Sequence, residues 1–290
     1  MNRKERRAAQ SLAPAAGGRL GEGQQDIMAL FNRGAEHQRA GELGPAIKLF
    51  KKVLELRPDH FAACERLVAA YLAQGKRDRA SEQFVELARI APQMLSDFGR
   101  VLETLKALLP ELTTELAAKN QAPDILAPAV RQIAANPYFQ IVLEQSKVCD
   151  AALERWLTAL RASILRLVAH RQLPADERTL AFCAALARQC FINEYVFFVT
   201  AEETELLAPV REMAAGDATA LLALAMYQPL NEIAEADAIA ARSWVAPAAA
   251  VVAQQITEPR EEAALRDSIQ RLTPIADGVT AKVRQQYEEN

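Results

Sequence analysis

Two consecutive stretches of 34 residues repeat one pattern, "IMALFNRGAEHQRAGELGPAIKLFKKVLELRPDH" at 27–60 and "FAACERLVAAYLAQGKRDRASEQFVELARIAPQM" at 61–94. When they are aligned without a gap, the identical pairs include Ala35 with Ala69, Gly41 with Gly75, Ala46 with Ala80, Phe50 with Phe84, and Pro58 with Pro92. Self-similarity at a fixed period of this size is typical of repeat proteins. We therefore interpret this part of the chain as two copies of one structural unit.

The shared residue types each have a physical role in a pair of antiparallel helices. The glycine stands where the first helix must end, because glycine adopts a left-handed conformation without a steric penalty. The alanine is small at the point where the two helices would pack closely, and the phenylalanine one turn later fills the space beside it. The proline follows the second helix and prevents its continuation. The unit is therefore predicted to be helix–turn–helix.

The period and these residues resemble the tetratricopeptide repeat, a helix–turn–helix unit of the same length. The signature positions implied by the resemblance are Gly34, Gly41, Ala46, Phe50, Pro58, Tyr71, Gly75, Ala80, Phe84 and Pro92. Val68 stands where the first copy has Gly34, and we expect it to crowd the helices slightly. Because repeats stabilise one another by stacking, residues 95–120 are predicted to form a degenerate third repeat or a capping helix.

Arrays of this family typically bind an extended peptide or a partner helix on their concave face. The resemblance places a candidate partner groove on the first helices, at Met28, Phe31, Gln38, Glu65 and Leu72. This lining is mostly apolar and lacks the cluster of Lys, Arg and Asn that would clamp a C-terminal carboxylate. An alternative stays open, in which the apolar members are buried against the leader or a neighbouring helix.

The composition of the chain indicates an all-α protein. Half of the 290 residues are hydrophobic and 24% are charged. Alanine, leucine, glutamate and arginine are abundant, and these residues cost least to place in a helix. No convincing alternating strand pattern is present. A net charge of −3 gives no electrostatic footprint for nucleic acid or an anionic membrane.

The first 25 residues are predicted to be a disordered basic leader. A basic run at 3–7 is followed by a small, polar, Gly- and Ala-rich segment. The segment lacks the apolar core of a signal peptide. The longest apolar run, "VAPAAAVVA" at 245–253, is far shorter than the roughly 18 residues of a bilayer-spanning helix. We therefore expect a cytoplasmic protein.

The sequence carries few groups that suggest chemistry. The four cysteines, Cys64, Cys149, Cys183 and Cys190, form no CxxC pair, and buried free thiols are expected in a reducing compartment. The three histidines do not pair at metal-ligand spacing. The chain has no glycine-rich nucleotide loop and no GxSxG elbow. We expect no catalytic residue, cofactor or metal site within it.

Residues 121–290 show no repeat and are predicted to be a series of capped helices. The predicted caps are Asp176, Thr200 with Glu203 in a capping box, Asp217, and Thr257 followed by Pro259. Near the end of the sequence, Val279, Val283 and Tyr287 recur at helical spacing. This last helix carries no stop signal, and its final residues are acidic, the unfavourable sign for a helix C-terminus.

The segments "ALARQCFINEYVFFVTAEE" at 185–203 and "LTPIADGVTAKVRQQYEEN" at 272–290 carry a second resemblance. They are similar to bacterial tetratricopeptide-repeat proteins that have a C-terminal S-adenosylmethionine-dependent methyltransferase domain, and "MNRKERRAAQ" resembles the start of many of them. The resemblance is most specific at Arg188, Gln189, Cys190, Phe191, Asn193, Glu194, Tyr195 and 286–290. In those relatives the chain continues past "QYEEN" into the catalytic domain. The sequence is therefore expected to be their helical N-terminal region, as an excised fragment, a truncated gene product or half of a split gene.

The resemblance implies a candidate docking surface for the catalytic domain at Arg188, Gln189, Asn193, Glu194 and Tyr195. The alternative is that "FINEYVFF", at 191–198, is mostly core. S-adenosylmethionine would enter only with a catalytic domain supplied elsewhere.

Two functions remain open at this stage. One is a non-catalytic region that interacts with a protein or peptide and positions it for a methyltransferase domain, in cis or in trans. The other is a stand-alone adaptor with no link to methyl transfer. A complete methyltransferase within these residues is disfavoured, because the usual fold needs a parallel sheet and a glycine-containing loop.

Overall fold

The computed structural model describes residues 17–118 and 122–268, and its side chains are described from Gly23 onward, except that of Asp267. The helices are α1 Gly17–Arg39, α2 Leu43–Leu56, α3 Phe61–Ala73, α4 Arg77–Ile90, α5 Phe98–Leu108, α6 Pro110–Ala117, α7 Pro128–Ala134, α8 Pro137–Gln145, α9 Ala151–Ala169, α10 Glu177–Ile192, α11 Ala201–Ala214, α12 Ala218–Ala225, α13 Ala236–Ala241, α14 Ala246–Val252 and α15 Glu258–Ser268. Short 3₁₀-helices occupy Pro92–Ser96 and Leu230–Glu232, and a π-helical turn occupies Ala253–Thr257. Residues 17–118 and 122–268 contain no strand, and the all-α prediction is confirmed.

The first four helices form two hairpins, α1 with α2 and α3 with α4. Each hairpin turns at a glycine in the left-handed conformation, Gly41 at φ 77° and Gly75 at φ 72°. In the first turn the amide of Glu42 donates to the carbonyl of His37 at 2.9 Å, and the amide of Lys76 repeats this bond at the second turn. These bonds satisfy carbonyls that the end of a helix leaves open.

Helix α1 begins earlier than the sequence predicts. It starts at Gly17, so residues 17–25 of the predicted leader are helical, and residues 1–16 lie outside the described part of the chain. Extending a helix that is already nucleated costs little per residue, and this stretch contains Arg, Leu, Glu and Gln among its glycines.

The segment after the second hairpin contains two helices, α5 and α6. They are separated at Pro110, which begins α6 and has no amide hydrogen with which to continue α5. Arg100 on α5 pairs with Glu65 on α3 and lies over the ring of Phe61 at 4.6 Å. Helix α5 therefore lies beside α3, where a third repeat would place its first helix.

Helix α8 connects the hairpins to the rest of the molecule. It packs against α4 on one side and against α10 on the other. Helix α10 in turn contacts α12 and α14, and α11 packs against both α9 and α12. The buried apolar side chains form one cluster that runs from Ala46 to Ile256. The repeats and the following helices thus share a core.

Three of the predicted helix caps are present. The Asp176 side chain accepts a hydrogen bond from the amide of Thr179 in the first turn of α10, and the Asp217 side chain accepts from the amides of Thr219 and Ala220 in the first turn of α12. Thr200 forms the capping box with Glu203 at the start of α11. The cap predicted at Thr257 is wrong, because the chain stays helical from α14 through the π turn into α15. The buried Gln255 in this turn donates to the carbonyls of Ala187 and Ala225, at 3.4 and 3.3 Å.

Besides residues 1–16, two further predicted features lie outside the described residues. One is the end of the predicted capping segment, at 119 and 120. The other is the helix predicted around Val279, Val283 and Tyr287, together with the match at 286–290. Among the helices that the structure describes, none has both the length and the apolar character needed to cross a bilayer.

Candidate partner-binding surface

The first helices of the successive units lie side by side and form one face of the molecule. The amide nitrogen of Gln38 donates to the carbonyl of Arg66 at 3.3 Å, and Nη1 of Arg66 donates back to the amide oxygen at 3.4 Å. These contacts join α1 to α3, and the Glu65–Arg100 ion pair joins α3 to α5. We call the surface of α1, α3 and α5 the repeat face.

The predicted groove residues divide into open, half-buried and paired positions. Met28 is 54% exposed and open to a partner. Phe31 is half-buried, with its ring centroid 5.2 Å from that of His60 and 5.9 Å from that of Phe50. Leu72 is half-buried against the core. Gln38 and Glu65 are committed to the contacts between the helices.

The open part of the repeat face on α3 consists of small residues. Ala62, Ala69 and Ala73 are exposed along one side of the helix, next to Arg66 and the Glu65–Arg100 pair. Small side chains allow the backbone of a partner to approach closely, and the flanking charges supply polar contacts. The face is therefore suited to a helix or an extended peptide.

The predicted docking surface is divided between the exterior and the interior. Arg188 is partly exposed and pairs with Glu144 at 3.1 Å, while Glu194 is exposed. Gln189 and Asn193 are buried and do not contribute to an exposed surface. With its amide nitrogen turned towards α8, Gln189 donates to the carbonyls of Ser146 and Leu143, at 2.8 and 2.9 Å. It satisfies the carbonyls at the end of α8 and is needed there for the fold.

Two residues after α10 have an uncommon backbone conformation. Glu194 and Tyr195 have φ values of 53° and 55°, in the left-handed region. This conformation costs a non-glycine residue about 1–2 kcal/mol. The Tyr195 hydroxyl is buried without a hydrogen-bond partner among the described residues. Its burial, reinforced by the charges of Cys190 and Glu232, raises the pKa of Tyr195 well above its ordinary value.

A buried charged cluster lies beneath the loop that follows. The fully buried Arg161 on α9 donates from Nη2 to the carbonyl of Phe198 at 2.8 Å and lies over the ring of Tyr227 at 4.1 Å. Its guanidinium is 3.8 Å from the carboxylate of Glu203, which accepts a 2.7 Å hydrogen bond from the Tyr227 hydroxyl. Sequence reasoning missed this cluster, because an arginine on an amphipathic helix is usually exposed.

A cleft of about 600 Å³ lies between the second hairpin and the later helices. Its walls come from the starts of α4, α8 and α10, from α7, and from the junction of α5 and α6. Arg77, Arg131 and Arg178 line it together with Asp78 and Glu82. The charges are thus mixed rather than strongly basic or acidic. Because the lining comes from five separated segments, no local sequence pattern predicts the cleft.

The four cysteines are free thiols, and one of them is exposed. Burial raises the pKa of Cys64, Cys183 and Cys190 to about 12, so these thiols are unreactive at neutral pH. Cys149 is exposed. Within 17–118 and 122–268, no group of three or more His, Cys, Asp or Glu side chains is placed to hold a metal ion.

Comparison with known proteins identifies the repeats. A family model described as tetratricopeptide repeat matches residues 38–109. This range begins at the end of α1 and covers α2 to α5. No curated protein and no solved structure matches the chain. The matched range therefore carries tetratricopeptide repeats, and these indicate a role in protein–protein interaction.

Proposed function

We propose that this chain is the non-catalytic interaction region of a tetratricopeptide-repeat methyltransferase. In this role it binds a protein or peptide on the repeat face and positions it for a catalytic domain supplied in cis or in trans. The observation that carries the proposal is the continuous face made by α1, α3 and α5. The link to methyl transfer is supported by the resemblance of residues 185–203.

The packing of α8 supports a positioning role. Helix α8 contacts α4 in the second repeat and α10, which carries Arg188 and ends beside Glu194. A substrate bound on the repeat face is thereby held at a fixed distance from the end of α10. Holding two reactants in a defined geometry accelerates a reaction without any chemistry by the residues that hold them.

S-adenosylmethionine belongs to the catalytic domain in this proposal, and the described residues supply binding and orientation. The proposed setting is the cytoplasm, with a protein or peptide as the partner and without contact to nucleic acid or membrane.

A stand-alone adaptor is the second candidate function. The tetratricopeptide match at 38–109 indicates an interaction role by itself, and this candidate needs nothing more. Both candidates use the repeat face, and they differ in whether a methyltransferase is associated with the chain.

The repeat face can be tested with one blocking variant and one control. Ala69→Arg places a long charged side chain on the exposed side of α3, and Leu56→Arg adds the same side chain at the exposed end of α2. Each tagged variant would be expressed from the native locus, and the co-purified proteins quantified by mass spectrometry. We expect Ala69→Arg to lose specific partners that Leu56→Arg and the wild type retain. Equal recovery in all three would contradict the use of the repeat face.

The same purified material separates the two candidates. Its intact mass and its transfer of radiolabelled methyl groups from S-adenosylmethionine would be measured together. The first candidate is supported if the intact mass shows a methyltransferase domain in the same chain. It is also supported if a methyltransferase co-purifies and the Ala69→Arg variant labels its substrate less than the wild type does. Retained partners without a methyltransferase or methyl transfer support the adaptor.

A further inference from the structure

The loop between α10 and α11 exposes a cluster of large apolar side chains. Phe198 and Val196 are 75% and 74% exposed, and Val199 is partly exposed beside them. Phe198 and Val196 are the most exposed large apolar side chains among the described residues. Outside this loop, the exposed large apolar side chains are isolated from one another in sequence. We call Val196, Phe198 and Val199 the apolar tip. Contiguous exposed apolar surface on a folded protein commonly marks an interaction site.

Contacts with buried residues fix the backbone of the apolar tip. Phe197 points inward, is buried, and lies 5.5 Å from the guanidinium of Arg161. The carbonyl of Phe198 accepts a 2.8 Å hydrogen bond from the same guanidinium. On the other side of the tip, the carboxylate of Glu203 accepts from the backbone amide and the hydroxyl of Thr200, at 2.8 and 2.9 Å. The exposed side chains are therefore presented on a fixed backbone.

The backbone just before the apolar tip is strained at two residues that are not glycine. Glu194 and Tyr195 both adopt the left-handed conformation, although the chain places glycine at the corresponding turns after α1 and α3. Such strain persists only where the surrounding structure enforces it, and it is concentrated at functional sites.

The surroundings of the apolar tip are acidic. Glu194 precedes it, Glu205 lies on the second turn of α11, and Glu232 lies close enough to Tyr195 to act on it electrostatically. All three carboxylates are exposed, and no ion pair among the described residues involves them. Arg166 on α9 forms an ion pair with Glu202 at 2.7 Å, so its charge is already neutralised.

We propose that the apolar tip is a docking site for a protein partner that presents apolar side chains flanked by lysine or arginine. Phe198 is the central anchor, since aromatic side chains contribute most to such interfaces. The acidic surroundings attract a basic partner and repel the anionic surface of a membrane. The site is separate from the repeat face, and it stands or falls independently of the proposed function.

The test uses two labelled peptides and the full chain. One is an amphipathic helix of leucine and lysine, about 18 residues long so that it can fold on binding, and the other has glutamate in place of lysine. Binding is followed by fluorescence anisotropy. We expect the lysine peptide to bind at least about 10-fold more tightly than the glutamate peptide, because only the former complements the carboxylates.

Three variants assign any binding to the site. Phe198→Ser should weaken the affinity for the lysine peptide by about 10-fold or more. Leu265→Ser, at a side chain 64% exposed on α15, should leave the affinity unchanged. The pair Glu194→Lys with Glu232→Lys should reverse the preference between the two peptides. Phe198→Ser keeps the carbonyl that binds Arg161, so its melting temperature should match that of the wild type.

Three results would overturn the proposal. The first two are an unchanged affinity in Phe198→Ser and an equal loss of affinity in Leu265→Ser, since either removes the special role of the tip. The third is flotation of the wild type, but not of Phe198→Ser, with phosphatidylserine-containing vesicles. That result would assign the tip to a lipid surface.

Discussion

The two repeats share their turns but differ on the outer side of their second helices. At three aligned positions on one side of these helices, α2 carries exposed or half-buried residues and α4 carries buried ones. The pairs are Ile47 with Ser81, Lys51 with Val85, and Leu54 with Ala88. Helix α8 covers this side of α4, where Nδ2 of Asn136 donates to Oγ of Ser81 at 2.8 Å. The first repeat thus leaves this side of its second helix open, while the second repeat has it covered by α8.

The second difference lies between the paired helices of each repeat. In the first repeat the Phe50 ring lies against Gly34, and a Cβ added there would be 2.8 Å from Cε1 of the ring. In the second repeat Val68 is present at this position, and the centroid of Phe84 lies 5.0 Å from that of Tyr138 on α8. The second repeat therefore accommodates Val68 in place of the glycine, and its Phe84 ring packs against Tyr138 of α8.

The largest expected effect is the loss of either phenylalanine. Phe50→Ala and Phe84→Ala should each cost about 3–5 kcal/mol of unfolding free energy, because both rings are buried. In a double-mutant cycle with Tyr138→Leu, Phe84 should show a coupling of about 0.5–1.5 kcal/mol and Phe50 should show none. Urea unfolding measures both quantities. A loss below about 1 kcal/mol at Phe50 would contradict its packing role.

The next effect concerns the glycine on which Phe50 lies. Gly34→Ala should destabilise by about 1–3 kcal/mol through overpacking, although alanine favours helices. Gly23→Ala in the same helix is the matched control, because apart from the local helix backbone no atom lies within 4 Å of its added Cβ. It should stabilise by about 0.5–1 kcal/mol. Thermal unfolding of the two variants should therefore shift in opposite directions, and a common direction would refute the close contact at Gly34.

A smaller effect tests the contact that distinguishes the second repeat. Ser81→Ala removes the acceptor of the buried Asn136 amide and should cost about 1–2 kcal/mol. Ser96→Ala is the control, since this exposed hydroxyl bonds only the nearby carbonyl of Gln93, and it should change stability by less than about 0.5 kcal/mol. Guanidinium unfolding that gives the same value for both variants would show that α8 does not stabilise α4 through this bond.

The smallest effect tests what the two repeats share. Gly41→Ala and Gly75→Ala should each cost about 1 kcal/mol, because alanine resists the left-handed conformation. Arg171 follows α9 and is itself left-handed, at φ 57°. Replacing it with glycine, in Arg171→Gly, should raise the free energy of unfolding by up to about 1 kcal/mol. Calorimetry should give equal losses for the two glycines, and unequal losses would mean that the turns are not equivalent.

Local chemistry made much of this fold predictable. The all-α class and the caps at Asp176, Thr200 and Asp217 depend on residues close together in the chain, and they were predicted from it. The repeat unit was also readable, since its glycines and phenylalanines recur at one spacing. The difference between the outer sides of the repeats was not predicted, because it depends on Asn136, 55 residues beyond Ser81.

The features that sequence reasoning missed share one cause. Gln189 and Asn193 look like surface residues in sequence, yet both are buried. Gln189 bonds the carbonyls at the end of α8, and Asn193 bonds the amide oxygen of Gln189. Arg161 is buried because Glu203, Tyr227 and the Phe198 carbonyl surround it, and these groups lie 37 to 66 residues further along the chain. Partners at such separations are set by tertiary packing and leave no local pattern.

The position of α8 also determines whether the two parts of the chain would stay together after cleavage of the backbone between them. A cut between Ala118 and Ala122 separates the repeats from the rest covalently, but α4 and α8 lie on opposite sides of that cut and remain packed together. Bonds cross the same division from Asn136 to Ser81 and from Ser146 to the carbonyl of Leu95. Two co-expressed fragments should therefore assemble into one particle, while the first alone leaves the apolar side of α4 uncovered and prone to aggregate. The molecule is in this sense a natural candidate for fragment complementation.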